Sequence, residues 1–189
     1  MPAPQLMPTS IAGLHVVEPE VLEDDRGFFL ETYRATILST APDVEHRFAQ
    51  GNHSRSARGV LRGFHTEAWS KLIYVSRGTA FIAVADTRPE SPTFTRVETL
   101  LIGDPPGRRV RVFIAEGLSN AFFAMTDVDY INDVSGEYDP TRRAGIAWND
   151  PDLAVDWPVE TPILSAADQS WPTLRDLFPG HPALASDQG

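Results

Sequence analysis

The chain has 189 residues, 42% of them hydrophobic, a net charge of −10 and no cysteine. That length and apolar content support one domain with a real core rather than a disordered polypeptide. The acidic balance excludes a general nucleic-acid binder, which needs a basic surface to release counterions, and the missing cysteines exclude disulfides and thiolate chemistry.

In chain order, LHVVEPEVL (14–22) reads as a strand and RATILSTAP (34–42) as a short helix stopped before Pro42. GVLRGFH (59–65), KLIYVSRG (71–78) and TAFIAVADTR (79–88) read as a meander. FTRVETLLI (94–102), RRVRVFIAEGL (108–118), NAFFAMTD (120–127) and DYINDVSG (129–136) continue it. Short runs rich in Val, Ile, Phe and Tyr, punctuated by Gly and Pro, fit the strands of a sandwich or barrel. WPTLRDLF (171–178) opens a second helix with Pro172 in its first turn. The tail from 179, PGHPALASDQG, has little to bury and is expected to be loose, leaving 1–178 as the domain. The expected fold is all-β: an antiparallel double sheet of jelly-roll or cupin type around one core, with short peripheral helices. The start, MPAPQLMPTS, lacks the basic and apolar regions of a secretory signal. No apolar run approaches the roughly 20 residues that cross a bilayer. A cytoplasmic protein without membrane or nucleic-acid partners is expected.

One histidine and one lysine stand six residues apart in the β-branched stretch GVLRGFHTEAWSKLIYV (59–75). Strand alternation puts Arg62 and Phe64 on one face and Leu61, Gly63 and His65 on the other. TEAWS reads as a tight reversal, after which Lys71, Ile73 and Val75 share a face, so that His65 and Lys71 reach one barrel mouth. By themselves these residues are equally a satisfied core histidine with a snorkelling lysine, or a base with a cationic partner. The histidines are 15, 46, 53, 65 and 181, and no two form a ligand-like pair. HTE supplies His65 and Glu67, but the later strand offers Asn120 where an imidazole is needed, so no metal is expected. An imidazole with an unperturbed pKa of about 6.5 is suited to proton abstraction at neutral pH. A carboxylate would fix its tautomer, an ammonium would stabilise an enolate oxygen, and a tyrosine could return a proton to the opposite face.

Several ordered segments extend this reading: EDDRGFFLETYR (23–34), QGNHSRSARGVLRGFH (50–65), KLIYVSRG (71–78), ADTRPESPTF (85–94), YDP (138–140), WNDPDLAVDWP (148–158) and ILSAADQSWPTL (163–174). From residue 10 to 178 the chain resembles the cofactor-free nucleotide-sugar 3,5-epimerases, typified by dTDP-4-dehydrorhamnose 3,5-epimerase. The resemblance implies His65 as the base at C3 and C5, Asp168 as the carboxylate orienting it, Lys71 at the C4 enolate oxygen, and Tyr130 as the opposite-face acid. It also implies that Arg26, Glu31, Gln50, Asn52 and Arg62 bind the nucleotide sugar, with arginine forks suited to phosphate. Phe29 and Tyr138 would line the nucleoside pocket. A homodimer is implied, with residues 10–33 crossing to the partner.

Read without the resemblance, Asp168 simply starts a turn, Arg26 pairs with Asp24 or Asp25, Tyr130 is core, and Trp148, Trp157 and Trp171 are packing residues. The chain departs from the family pattern in four places. TEAWS is shorter than the usual connection, and Asn120 in GLSNAF (117–122) stands where a second histidine is usual, which keeps a substrate-binding amide but no proton shuttle. Tyr130 and Tyr138 are spaced more widely, and Arg143 stands where glutamate is common. The expected activity is epimerisation of a dTDP- or GDP-linked 4-keto-6-deoxy sugar at C3, C5 or both. The alternatives are a 3,4-ketoisomerase, against which the motif order argues, and a non-catalytic nucleotide-sugar-binding module.

Overall fold

The computed structural model describes residues 3–44 and 47–184. Its strands are β1 (Gln5–Pro8), β2 (Leu14–Glu18), β3 (Val21–Asp24), β4 (Gly27–Leu30), β5 (Gln50–Ser56), β6 (Leu61–Thr66), β7 (Lys71–Arg77), β8 (Thr79–Asp86), β9 (Val97–Gly103), β10 (Arg111–Ile114), β11 (Leu118–Ala124), β12 (Val128–Val134) and β13 (Ala144–Gly145). Two short helices, α1 (Ala35–Leu38) and α2 (Leu174–Leu177), lie between them and near the end. A six-stranded sheet has the order β1-β2-β10-β7-β12-β5 and a five-stranded sheet β13-β6-β11-β8-β9, while β3 and β4 form a separate ribbon. This is the expected antiparallel jelly-roll double sheet. Leu14, Val16, Ile73, Val75, Ile82, Val84, Val112, Ile114 and Phe122 meet between the large sheets. Each such side chain contributes about 1.5–3 kcal/mol on burial.

The strands do not follow a meander. β6 pairs with β11 and β13, β7 with β10 and β12, and β8 with β11 and β9, so from β6 to β12 every step along the chain changes sheets except β8 to β9, which pair as neighbours. TEAWS is therefore a crossing between sheets rather than a hairpin turn. It holds no Asn-Gly or Gly-rich pair that would close a two-residue hairpin. The interior residues of β7 are buried on both faces, so its apolar run says strand without saying which neighbour.

Three further differences have local causes. The strand expected over 14–22 splits into β2 and β3 around Pro19, which has no N–H to donate. β5 is polar (QGNHSRS) and sits at a sheet edge with one partner, so no hydrophobic period announces it. Thr173, not Pro172, starts α2: its hydroxyl accepts from Asp176 N–H and the Asp176 carboxylate accepts from the Thr173 N–H.

The core is also not single. Phe64, Ala83, Ala85, Phe94, Ile146 and Leu174 form a second cluster against the C-terminal segment. Val17, Leu38, Leu72 and Phe113 form a third under α1. The stretch from 179, expected to be loose, instead docks as far as it is described. Leu184 is buried in the second cluster, and the His181 ring packs tilted against Phe94, centroids 4.3 Å apart, with its Nε2 at 3.0 Å from the Pro89 carbonyl. Residues 185–189 and His46 lie outside the described residues. No helix among the described residues is long and apolar enough to cross a membrane.

Candidate active site

Ten side chains line a cavity opening between the sheets: Asn52 and Ser54 of β5, Arg62 and His65 of β6, Glu67, Lys71 of β7, Asn120 and Phe122 of β11, and Tyr130 and Asn132 of β12. Arg62 and His65 were expected on opposite faces, since a regular strand alternates. Opposite β11 the register runs Asn120↔His65 and then Phe122↔Arg62, three steps along β6 against two along β11. This bulge turns both side chains into the cavity. Gly63 sits in it at φ +114°, and a Cβ there would lie 2.5 Å from the Asn120 carbonyl oxygen. Only glycine fits that backbone without strain.

His65 Nε2 lies 2.7 Å from Asp168 Oδ1. Asp168 also accepts from Ser165 Oγ at 2.7 Å and from the Trp171 indole at 3.3 Å. Burial works against its charge, but the bonds from His65, Ser165 and Trp171 outweigh it and hold the carboxyl below its ordinary pKa. An ionised carboxylate only accepts, so Nε2 carries a proton and the neutral ring keeps its lone pair on Nδ1. Trp171, read from the sequence as packing, therefore helps hold Asp168. Gly145 makes room for it: a Cβ there would meet the indole at 2.5 Å.

Lys71 is 2% exposed. Its ammonium donates to Asn120 Oδ1 at 2.6 Å and to the His65 carbonyl at 3.4 Å, and pairs with Glu67 at 3.1 Å. Burial pulls its pKa down and the Glu67 charge opposes that. Tyr130 is 6% exposed and stacks on Phe122 with ring centroids 4.4 Å apart. Its hydroxyl accepts a long, 3.5 Å bond from Asn120 Nδ2. Burial raises the phenol pKa strongly, which keeps it protonated and a donor. The Asn120 amide thus bridges lysine and tyrosine. A base held by a carboxylate, a buried ammonium and a protonated phenol around one cavity can remove and return a proton next to a carbonyl.

The expected binding residues divide. Arg62 lines the cavity and donates from Nε to Ser56 Oγ at 2.9 Å. Asn52 also lines it and accepts from Gln50 Nε2 at 2.7 Å; Gln50 in turn accepts from the Tyr138 N–H at 2.9 Å. Tyr138 is 55% exposed and lines an adjoining recess with His65, Glu67, Arg143 and Ala144. Arg26, Phe29 and Glu31 are not brought to the cavity within one chain. Arg26 and Phe29 are on the separate ribbon, where Arg26 forks onto Asp24, and Glu31 just beyond it pairs with Arg34. The Arg26–Asp24 pair is the one the sequence suggests without the resemblance. Ser54, Phe122, Asn132, Ser165 and Trp171 were missed, and Glu67 was weighed only as a metal ligand. Their side chains are common in strands and turns, and only the crossing of the sheets assembles them.

A model of the dTDP-4-dehydrorhamnose 3,5-epimerase family matches residues 8–176. The dTDP-4-dehydrorhamnose 3,5-epimerase of Methanothermobacter thermautotrophicus is 38% identical over 175 residues, covering 89% of this chain and 93% of its own. Among solved structures, NovW, a 4-keto-6-deoxy sugar epimerase from the novobiocin cluster of Streptomyces spheroides, superposes with a TM-score of 0.87 at 35% identity over 93% of this chain and 89% of its own. ChmJ, a 3'-monoepimerase from Streptomyces bikiniensis solved with dTDP-quinovose, gives 0.83 at 34% identity over 89% and 87%. Together with the motif order and the site geometry, these similarities establish that the chain belongs to the dTDP-4-dehydrorhamnose 3,5-epimerase family.

Proposed function

We propose that this chain is an epimerase of a dTDP-linked 4-keto-6-deoxy sugar, a cytoplasmic homodimer that needs no cofactor. The observation that carries the reading is the 2.7 Å His65–Asp168 pair facing a cavity shared with Lys71 and Tyr130. His65 removes the proton from a carbon next to the C4 ketone, breaking C–H as the electron pair moves into the enolate. Lys71 and the Asn120 amide are the donors nearest to hand for the developing oxygen charge. Tyr130 delivers its hydroxyl proton to the other face of that carbon, and the enolate returns to the ketone with the centre inverted. Exchange with water resets His65 and Tyr130, so the sugar is isomerised with no net change in atoms or electrons. Arg62, Asn52 and Gln50 bind the sugar diphosphate, while Arg26, Phe29 and Glu31 of the partner subunit, with Tyr138, close over the nucleoside. Residues 1–178 act as one catalytic domain.

The test is solvent-deuterium incorporation into dTDP-4-keto-6-deoxyglucose, read by NMR at C3 and C5. Label at either carbon, reduced at least about 100-fold in His65→Ala, is expected. Which carbons acquire label distinguishes a 3,5-epimerase from a monoepimerase such as ChmJ, and the GDP-linked counterpart reports base preference. Tight binding without label would instead indicate a non-catalytic module.

A further inference from the structure

Lys71 is the one lysine of the chain, and it is buried beside the candidate base. Of its three acceptors, the Asn120 amide and the His65 carbonyl are neutral; Glu67 is the carboxylate in ion-pair contact with it. Glu67 is itself held in place. The Trp69 indole donates to its Oε2 at 2.8 Å. Trp69 is buried, and its crossing segment is stapled to the end of β12 by Ser70 N–H to Ser135 Oγ and Ser135 N–H to the Ser70 carbonyl, both at 3.0 Å. The short TEAWS crossing thus delivers a carboxylate to the cavity wall.

We propose that Glu67 is a positioning residue of the reaction: clamped by Trp69, its carboxylate keeps the Lys71 ammonium charged and aimed at the substrate ketone. The proposal rests on the epimerase reading above. The other groups facing Lys71 do not substitute for it. Arg62 and His65 of β6, Asn120 of β11 and Tyr130 and Asn132 of β12 share the cavity, and none of them carries a negative charge at neutral pH. Asp168 is engaged by His65. Arg143 and Tyr138 line the recess on the other side of Glu67. A buried ammonium that loses its carboxylate neutralises rather than remaining charged. Glu67 also acts on Tyr130, whose ionisation its charge opposes. One carboxylate thereby favours the donor form of both Lys71 and Tyr130.

The single lysine makes the test direct. Protein labelled with lysine enriched in 13C at Cε shows one lysine side-chain resonance, whose pH titration reports Lys71 alone. Glu67→Gln is expected to lower the titration midpoint by about one unit or more, and the alkaline limb of kcat to fall at correspondingly lower pH. Trp69→Phe, which frees the carboxylate without removing it, shifts both in the same direction by less. It decides the matter if Glu67→Gln does not fold. A merely structural role would lower activity equally at every pH and leave the resonance unmoved, and an unmoved midpoint overturns the proposal. Should the parent enzyme fail to exchange deuterium, the epimerase reading falls by itself, and the role in aiming Lys71 at a ketone falls with it; the lysine titration still decides whether Glu67 holds the charge.

Discussion

At the scale of single residues, the candidate chemistry depends on how Asp168 is held. Its carboxylate accepts from His65, Ser165 and Trp171, and it stays ionised because those donors outweigh burial. Asp168→Asn keeps the shape but can donate to His65, which permits the tautomer with its proton on the cavity nitrogen. We expect kcat to fall about 10²–10⁴-fold with KM little changed, measured by steady-state kinetics on the dTDP-linked ketosugar. A KM effect without a kcat effect would make Asp168 a binding group instead. The folded-state pKa of Asp168 is depressed, so its contribution to stability is present above the ordinary carboxylate pKa and disappears as pH falls through the lowered value.

Among elements, two irregular pieces matter most. One is the bulge between β6 and β11, which brings Arg62 and His65 together. The other is the connection from β8 to β9. There the fully buried Asp86 carboxylate accepts from the Arg88 guanidinium at 2.7 and 2.8 Å, and from the Ser91 and Thr93 hydroxyls at 2.6 Å each. Arg88 also donates to the Ala12 carbonyl at 2.9 Å, tying this turn to the segment between β1 and β2. Burial disfavours the Asp86 charge, but these donors bring its pKa down to about 2. A depression of that size corresponds to about 2 kcal/mol of folding stability at neutral pH. Because the folded pKa is the lower one, that contribution is complete above the unfolded value near 4 and is lost as pH falls towards 2. Asp86→Asn should therefore lose about 2 kcal/mol in urea unfolding at pH 7, and the difference from the parent should shrink to about 0.4 kcal/mol at pH 2. A constant difference across that range would mean the loss is one of packing.

At the scale of the whole molecule, the β3–β4 ribbon stands apart from both sheets. It exposes Leu22, Phe28 and Phe29 at 40%, 47% and 57%, with the Arg26 side chain 90% exposed. Arg26 and Phe29 are among the residues the family resemblance assigns to nucleotide binding, yet within one chain they line their own depression. A second copy whose ribbon reaches the first copy's cavity reconciles the two. Light scattering is expected to give twice the chain mass. Phe29→Ala is expected to raise KM for the dTDP-linked sugar about tenfold while kcat stays within about twofold, as for loss of a contact made equally in ground and transition states. A monomer with unaltered KM in that variant would remove the ribbon from the site.

Much of this architecture was legible in the amino-acid order. β-branched and aromatic runs between Gly and Pro specify strands locally, because side-chain alternation and turn chemistry act over a few residues. The motif contexts singled out His65, Lys71, Tyr130 and Asp168 as candidates, and the structure brings these four side chains to one site. Strand partners were not legible, since the buried apolar runs of β6, β7 and β8 fit either sheet equally well and long-range pairing alone chooses. The same holds for Glu67, Ser165 and Trp171. Each is an ordinary turn or packing residue until the crossing of the sheets and the C-terminal turn bring it within hydrogen-bonding distance of Lys71 or Asp168. The sequence by itself determined the fold class and named the candidate reactive groups. Tertiary structure decided which groups face one another, because hydrogen bonds and ion pairs depend on distances in space between residues far apart in the chain, as His65 and Asp168 are at 103 positions.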